Sequence, residues 1–199
     1  MTTTRANRTT TGWQEHYRSR LVSGPEAMSH VKSGDHIWIS VGQQVGLLLT
    51  CLLGRAEELK GVEVKWLPAA DFGFFDEALR EHININVTYA TPFCRDAVNN
   101  KLADYTPYPL IGGHKALDEG RPGARAIDVA LVSVTPPNQQ GYCCFGSNLW
   151  DANTTARRAK MVIAEVNENI PRTFGDTWIH VSEIDWFVEN TPPPFGYSR

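Results

Sequence analysis

The feature that most constrains the fold is the segment 127–134, which reads IDVALVSV and is almost wholly apolar. A strand of that composition has to be buried on both faces, and such strands lie in the middle of parallel sheets covered by helices. Other strand-like runs recur along the chain with helical segments between them. This alternation predicts one α/β domain with a mostly parallel sheet and helices on both faces. The strands are predicted at 36–41, 62–67, 83–90, 127–134, 161–166, 178–181 and 184–188.

The helices are predicted from cap signals and spacing. Ser23 and Glu26 have the spacing of a capping box, so a short helix should follow and run through residue 31. The turn 42–46 leads into a helix over 47–60, which Gly61 closes. Further helices are predicted over 74–82, 95–105 and 151–159, and a turn over 136–146.

Composition and charge exclude several classes of protein. Hydrophobic residues make up 42% and charged residues 21% of the 199 residues, which is typical of a globular domain. The net charge of −3 gives no basic surface for nucleic acid. No apolar run is long enough to span a membrane or to act as a signal peptide, so we expect no membrane association. We expect a flexible arm at 1–12, one domain at 13–190 and a proline-rich tail at 191–199.

The cysteines and histidines indicate neither a disulfide framework nor a metal site. Two of the four cysteines, Cys143 and Cys144, are adjacent, and adjacent cysteines rarely bridge each other. A reducing cytoplasm is the simplest interpretation. No histidine pairs with a cysteine at zinc spacing, so we expect no structural metal.

Two stretches stand out because each follows a predicted strand. The first, TPPNQQGYCCFG at 135–146, leaves the carboxyl end of the central strand, where open α/β proteins place ligands. The alternative to a ligand-binding loop is a rigid structural loop, since loops rich in proline and glycine are common. The second, IAEVNENIPRTFGD at 163–176, contains Glu165. If Glu165 points inward it must be paired or protonated; otherwise it faces solvent or pairs with Arg172.

Together these stretches resemble the acetyl-CoA hydrolase/4-hydroxybutyrate CoA-transferase family. The first is similar to the family pattern S-P-P-D-x-x-G-Y-x-S-L-G, and the second is similar to V-I-A-x-V-N-x-x-M-P-R-T-x-G-D. The segments IHVS at 179–182, ID at 184–185 and VE at 188–189 are similar to the family's I-H-V-S-x-I-D and V-E. The resemblance runs from about Trp13 to Glu189 and covers the N-terminal domain of that family.

The resemblance implies a CoA-transferase-like domain that acts on acyl-CoA thioesters and small carboxylic acids. Coenzyme A would be a substrate, and no tightly bound cofactor is implied. In the family a glutamate of a second domain attacks the thioester, and we find no equivalent segment here, so we expect a second CoA-transferase-like subunit to supply it. The substrate-binding candidates are Gly42, Gln43, Gln44, Pro137, Asn138, Gly141, Tyr142, Cys144 and Gly146.

Departures from the family pattern leave alternatives open. Asn138 stands in place of aspartate, Cys144 in place of serine, and Val45 where the family often has proline. Cys144 is either a nucleophile or a buried inert thiol. The turn Gly42–Gln44 is either an oxyanion site at a helix N-terminus or an ordinary strand–helix turn. The chain is therefore a transferase subunit, an enzyme of another acyl chemistry such as hydrolysis or decarboxylation, or a non-catalytic scaffold.

Overall fold

A parallel sheet forms the centre of the structure. The computed structural model describes residues 12–68, 70, 72–107, 112–147 and 149–193. Seven strands form the main sheet in the order β4-β3-β2-β1-β5-β7-β9, and every neighbouring pair in it is parallel. The remaining pair, β6 and β8, forms a small antiparallel sheet. In chain order the strands are β1 (His36–Ile39), β2 (Val62–Trp66), β3 (Ile83–Val87), β4 (Asp104–Tyr105), β5 (Val129–Val134), β6 (Tyr142–Cys144), β7 (Met161–Val166), β8 (Trp178–His180) and β9 (Trp186–Glu189).

The helices are short and cover both faces of the sheet, as predicted. Their bounds are α1 (Trp13–Ser19), α2 (Gly24–Met28), α3 (Gly46–Leu53), α4 (Arg95–Asn99), α5 (Gly112–Asp118) and α6 (Ala152–Arg158). Helices α2, α3 and α4 pack in the apolar cluster on one face, and α6 packs in the cluster on the other. An isolated helix of this length is marginal in water, so tertiary packing has to stabilise it. In α3, Leu48, Leu49 and Leu52 are buried, at about 1.5–3 kcal/mol for each side chain.

The central strand β5 is buried along its whole length, which explains its uniform composition. Leu131 points into the cluster beneath α2 and α3, and Val132 points into the cluster beneath α6. The same alternation holds in β1, where Ile37 and Ile39 face the first cluster and Trp38 the second. The mostly parallel α/β architecture predicted from the pattern is thus confirmed.

Several predicted helices are shorter than their sequence pattern indicates. Helix α2 ends at Met28 rather than residue 31. The helix predicted over 47–60 ends at Leu53, and a 3₁₀ turn at Ala56–Glu58 follows. Between them the guanidinium of Arg55 donates to the Met28 carbonyl, a tertiary contact that periodicity does not reveal.

Two further predicted helices are largely replaced by other structure. Over 74–82 only a 3₁₀ turn at Glu77–Leu79 forms, with the Asp76 side chain accepting from the Ala78 N–H at 2.9 Å. The helix predicted over 95–105 ends at Asn99, because Lys101 adopts a left-handed φ of 59° and the chain then joins the sheet as β4.

The predicted strands are confirmed in position, although several are shorter. The turn predicted over 136–146 is only partly confirmed, because it contains the strand β6, which pairs antiparallel with β8. The arm predicted at 1–12 lies, except for Gly12, outside the described residues, and so does the tail beyond residue 193.

Candidate functional site

The carboxyl edge of the sheet has its switch point between β1 and β5. Strands β2, β3 and β4 follow on one side of β1, and β5, β7 and β9 on the other. Loops leaving adjacent strands there diverge, and this divergence creates the crevice in which open α/β domains bind ligands. The two loops singled out from the sequence, 42–46 after β1 and 135–146 after β5, flank this point.

The turn after β1 is held against β5 by Gln43 and Gln44. The pairing of β1 with β5 ends at Ile39 and Leu131. Beyond that point the Gln43 carboxamide oxygen accepts from the backbone N–H of Ser133 at 2.7 Å, replacing the missing strand partner. The N–H of Gln44 donates to the Ser133 hydroxyl at 3.1 Å. The N–H of Gln43 donates to the Ser40 carbonyl, so two of the N–H groups considered for an oxyanion have acceptors inside the protein.

Glu165 lies behind this turn and caps the first turn of α3. It is only 1% exposed, so the interpretation that it faces solvent is wrong. One carboxylate oxygen accepts from the Leu48 N–H at 3.2 Å and the other from the Asn190 side-chain amide at 2.7 Å. Burial raises the pKa of Glu165, and these donors oppose the rise. The alternative pairing with Arg172 is also wrong, because that guanidinium donates to the Pro136 carbonyl at 3.1 Å.

The loop after β5 folds around Asn138. The side-chain oxygen of Asn138 accepts from the N–H groups of Gln140 and Tyr142, both at 2.9 Å. Aspartate could accept the same two hydrogen bonds, so Asn138 preserves the loop conformation without the charge. Gly141 has a φ of 83°, and a Cβ there would lie 2.8 Å from the Trp13 ring, so glycine is required. Pro137 belongs to the same loop, in which Tyr142 is 40% exposed.

Cys144 connects this loop to the loop that follows β7. Its side chain is fully buried, and its sulfur accepts from the N–H groups of Gly146 at 3.3 Å and Thr173 at 3.4 Å. Its S–H donates to the Thr177 hydroxyl at 3.5 Å. Burial raises the pKa of the Cys144 thiol, but the N–H groups of Thr173 and Gly146, which stabilise the thiolate by donating to the sulfur, help to hold it below the ordinary value. The geometry is that of a tether between loops, with no solvent access to the sulfur.

A cavity of about 150 Å³ lies where the turn after β1, the loops after β5 and β7, and the segment after β9 meet. Of the predicted site residues, Gln44 lines it; the other candidates lie in the turn 42–46 and in the loop 135–146 but are not part of the lining. Phe145 and Ser147 line it from the segment after β6, and Asn167 lines it from the loop after β7. Among the described residues the lining consists of Gln44, Ser133, Phe145, Ser147, Asn167, Asn169, Ile170, Pro171, Pro192 and Pro193.

The lining is neutral and mixes apolar walls with amide and hydroxyl groups. Asn167 is buried, and its side-chain oxygen accepts from the Asn169 N–H at 2.8 Å. The Asn169 amide donates to the Pro192 carbonyl at 2.7 Å, which joins the last described segment to the wall. An engineered apolar cavity of about this volume binds benzene, so the space suits an uncharged group of about six heavy atoms. The candidates predicted from the sequence do not include 169–171 or 192–193, although 169–171 lie in the stretch 163–176 that stood out because it follows a predicted strand.

A second depression lies on the other side of the switch point, above β1, β2 and β3, and its volume of about 10 Å³ suits one water molecule. Lys65 lines it, with its ammonium group 4.2 Å from the Trp38 ring centroid. Burial lowers the pKa of Lys65 to about 8, against the opposing charges of Glu63 and Asp151. Beside it the His114 ring contacts the Asp151 carboxylate at 3.2 Å.

Two searches for other kinds of site found nothing in the part of the chain that the structure describes. No group of three or more His, Cys, Asp or Glu side chains there could hold a metal ion. No helix among residues 12–193, with the gaps given above, is long and apolar enough to cross a membrane.

An open parallel sheet with a cavity beside the point where its strand order reverses defines a ligand-binding domain of the doubly wound α/β class. The chain belongs to the family described as acetyl-CoA hydrolase/transferase N-terminal domain, whose family model matches residues 2–194. The resemblance found in the motifs is thereby confirmed.

Relatives of this family match nearly the whole chain. A 4-hydroxybutyrate coenzyme A transferase of Clostridium kluyveri is 36% identical over 184 residues, covering 91% of this chain and 42% of the relative. A succinyl-CoA:cyclohexane-1-carboxylate CoA transferase of Geobacter metallireducens is 31% identical over 183 residues, covering 91% of this chain and 41% of the relative. The crystal structure of RipA from Yersinia pestis superposes with a TM-score of 0.81 at 26% identity, covering 91% of this chain and 44% of that one. The chain therefore spans less than half the length of these proteins.

Proposed function

We propose that this chain is the acyl-binding half of a CoA-transferase, and that a partner subunit supplies the second half with its catalytic glutamate. The assembled enzyme would move coenzyme A from an acyl-CoA thioester to a small carboxylic acid. The observation that carries the proposal is the neutral cavity at the switch point, in a domain whose relatives are named CoA transferases.

The cavity lining favours an acyl group over the charged parts of coenzyme A. No Lys or Arg among the described residues lines it, so this part of the chain offers no positive charge to a phosphate there. Its apolar walls suit methylene groups, and its amide and hydroxyl groups can hydrogen-bond a carbonyl or hydroxyl of the acyl chain. The nucleotide end of coenzyme A would then contact the partner more than this chain.

The need for a partner follows from the carboxylates. No Asp or Glu of the described residues lines the cavity. Glu165 is buried beneath it, with both oxygens accepting hydrogen bonds, so it cannot attack a thioester. Glu189 lies at the end of β9 and accepts from the Tyr17 hydroxyl at 2.8 Å. A glutamate nucleophile has to come from a segment outside these residues, and we place that segment on a second CoA-transferase-like subunit.

The chemistry suits a carboxylate nucleophile. Its attack on the thioester expels CoA thiolate and forms an acyl anhydride; the thiolate then forms a glutamyl-CoA thioester and releases the first acid. The incoming acid reverses both steps, so the thioester free energy is not lost to water. This chain would hold the acyl group still during the exchange and exclude water from it. The free thiols of all the cysteines fit a reducing cytoplasm, where we place the enzyme.

The departures that motivated a different acyl chemistry have structural roles in this geometry. Asn138 makes the turn that aspartate would make, and Cys144 joins two loops from a fully buried position. Neither supplies a reactive group to the cavity, so transfer remains the function that the site supports best.

The proposal is tested by purifying the tagged chain from its native host with whatever binds it, followed by assay. We expect a stoichiometric partner, and transfer from butyryl-CoA to acids such as acetate or 4-hydroxybutyrate. Replacing Ser147, an exposed residue of the cavity wall, by Leu should raise KM for the acyl-CoA. The matched change Ser29→Leu, at the exposed residue that follows α2, should leave KM unchanged. Hydrolysis without transfer, or a chain that purifies alone and inactive, would refute the proposal.

A further inference from the structure

The buried carboxylate of Glu165 lies next to several of the chain segments that line the cavity. Glu165 lies on β7, directly opposite Ser133 on the neighbouring strand β5, and Ser133 lines the cavity. Two residues further along β7 the chain reaches Asn167, a second lining residue. Asn190, the side-chain donor to Glu165, lies two residues before Pro192, a third.

The cavity is also lined by Gln44, which lies in the turn before α3. Glu165 contacts this part of the chain through its hydrogen bond with the first turn of α3. The helix has no cap of its own, because its N-cap residue Val45 makes no side-chain hydrogen bond. The N–H groups of Leu47 and Leu48, in the first turn, are instead directed at the Glu165 carboxylate. A carboxylate at this place also complements the positive end of the helix dipole. The position of Gln44 therefore depends on a residue that lies 117 positions from Leu48 in sequence.

Every hydrogen bond of this carboxylate comes from a donor. Leu48 and Asn190 approach different oxygens, so an apolar side chain in place of Glu165 would leave both of them without an acceptor. A buried donor left without an acceptor costs more than the net value of the hydrogen bond itself. Glu165 would be costly to bury alone, and the donors around it compensate.

We infer that Glu165 is a positioning residue that holds the walls of the cavity in register and thereby determines how tightly an acyl chain is bound. This inference rests on the proposed acyl-binding function, and it adds a residue that touches no substrate. The effect acts through Gln44, Ser133 and Asn167 rather than by contact with the reacting atoms.

The test compares Glu165→Met with a matched control and a rescue. Glu165→Met keeps approximately the volume of the side chain but offers no acceptor to Leu48 or Asn190. Glu168→Met makes the same change at an exposed residue three positions on, whose side chain has no hydrogen bond in the described part of the chain. Glu165→Gln is the rescue, because its side-chain oxygen can accept from Leu48 while its NH₂ group donates to the oxygen of Asn190 once that amide has rotated.

The first readout is hydrogen exchange of the full chain, which needs no partner or substrate. Glu165→Met should speed exchange of the Leu47 and Leu48 amides by about tenfold. Glu165→Gln should retain most of the protection, and Glu168→Met should leave it unchanged. Should Glu165→Met not fold, Asn190→Ala removes only one of the two donors and is measured in its place. Unchanged exchange in Glu165→Met, or exchange in Glu165→Gln as fast as in Glu165→Met, would overturn the inference.

The second readout is binding of butyryl-CoA and of free coenzyme A to the assembled enzyme. If Glu165 positions the cavity walls, Glu165→Met should weaken binding of butyryl-CoA by about tenfold and leave binding of free coenzyme A within twofold, because only the acyl part enters the cavity. Equal weakening of both ligands would show general loss of structure and overturn the inference. If the wild-type assembly binds no acyl-CoA, the transferase proposal fails, and hydrogen exchange decides the role of Glu165 alone.

Discussion

Replacing Cys144 by Ala should destabilise the protein far more than the same change at its neighbour Cys143. Both side chains are fully buried, so the transfer free energy of the lost sulfur is nearly the same at the two sites. They differ in hydrogen bonding. Cys144 accepts from the N–H groups of Gly146 and Thr173, whereas the Cys143 sulfur makes no hydrogen bond within the residues that the structure describes.

The expected difference follows from the two donors that Cys144→Ala leaves without a partner. Gly146 is buried, so its orphaned N–H costs about 2 kcal/mol, and the half-buried Thr173 N–H adds about 1 kcal/mol. Cys144→Ala should therefore lower the free energy of unfolding by about 3 kcal/mol more than Cys143→Ala. Cys144→Ser keeps an acceptor at this place and should recover most of the difference.

Urea unfolding followed by circular dichroism measures these free energies by linear extrapolation. In a chain of this size the difference corresponds to about 6–12 °C in melting temperature. The m-value should stay constant, which shows that the folded state and not the unfolded state has changed. Equal destabilisation by the two alanine variants would refute the view that Cys144 tethers the loops.

Four more outcomes are expected from the structure. Gly146→Ala should cost more than about 2 kcal/mol, because its φ is 73° and the new Cβ would collide with Ile170; thermal unfolding measures this, and a change below about 0.5 kcal/mol would contradict the close contact. Acylation of Lys65 by acetic anhydride, followed by mass spectrometry, should reach half its maximal rate near pH 8 rather than near 10.5. Because this pKa is lowered by folding, Lys65→Met should abolish a loss of stability that the wild type shows as pH falls from 10.5 to 8; a parallel pH dependence in the two proteins would argue against it. Ellman's reagent should react rapidly in the native protein with Cys51 alone among the four thiols, since the others are buried, and with all four in urea; rapid reaction of a second native thiol would contradict the burial.

Local pattern placed seven of the nine described strands, missed the short strands β4 and β6, and overestimated the length of most of the predicted helices. A strand such as β5 has to be apolar on both faces, so its composition alone places it in the centre of a parallel sheet. Helical periodicity carries less information about length. The segments predicted at 47–60 and 95–105 both end early, one where Arg55 binds the Met28 carbonyl and one where Lys101 turns the chain toward β4. The end of the first helix coincides with a contact between groups that are distant in sequence, and the end of the second depends on a single backbone angle.

The site shows the same division. The turn 42–46 and the loop 135–146 were both named as substrate-binding candidates, and the Gln43–Ser133 hydrogen bond shows that the turn after β1 lies against β5. The stretch 163–176 also stood out, but Ile170 and Pro171 within it were not named as candidates, and Pro192 was assigned to a tail. The choice between a Glu165 that faces solvent, one that pairs with Arg172 and one that points inward also stayed open.

The amino-acid sequence by itself determined the α/β class, the position of the central strand, the family and the edge of the sheet where a ligand would bind. These properties are encoded in short stretches, through apolar runs and the glycines and prolines that end them. Only the tertiary structure decided what the polar residues do. Glu165 caps a helix that begins more than a hundred positions earlier, and Cys144 joins two loops 29 positions apart. A buried polar group takes whichever partner the fold brings within hydrogen-bonding distance, and that proximity is a property of the packed chain rather than of any segment in it.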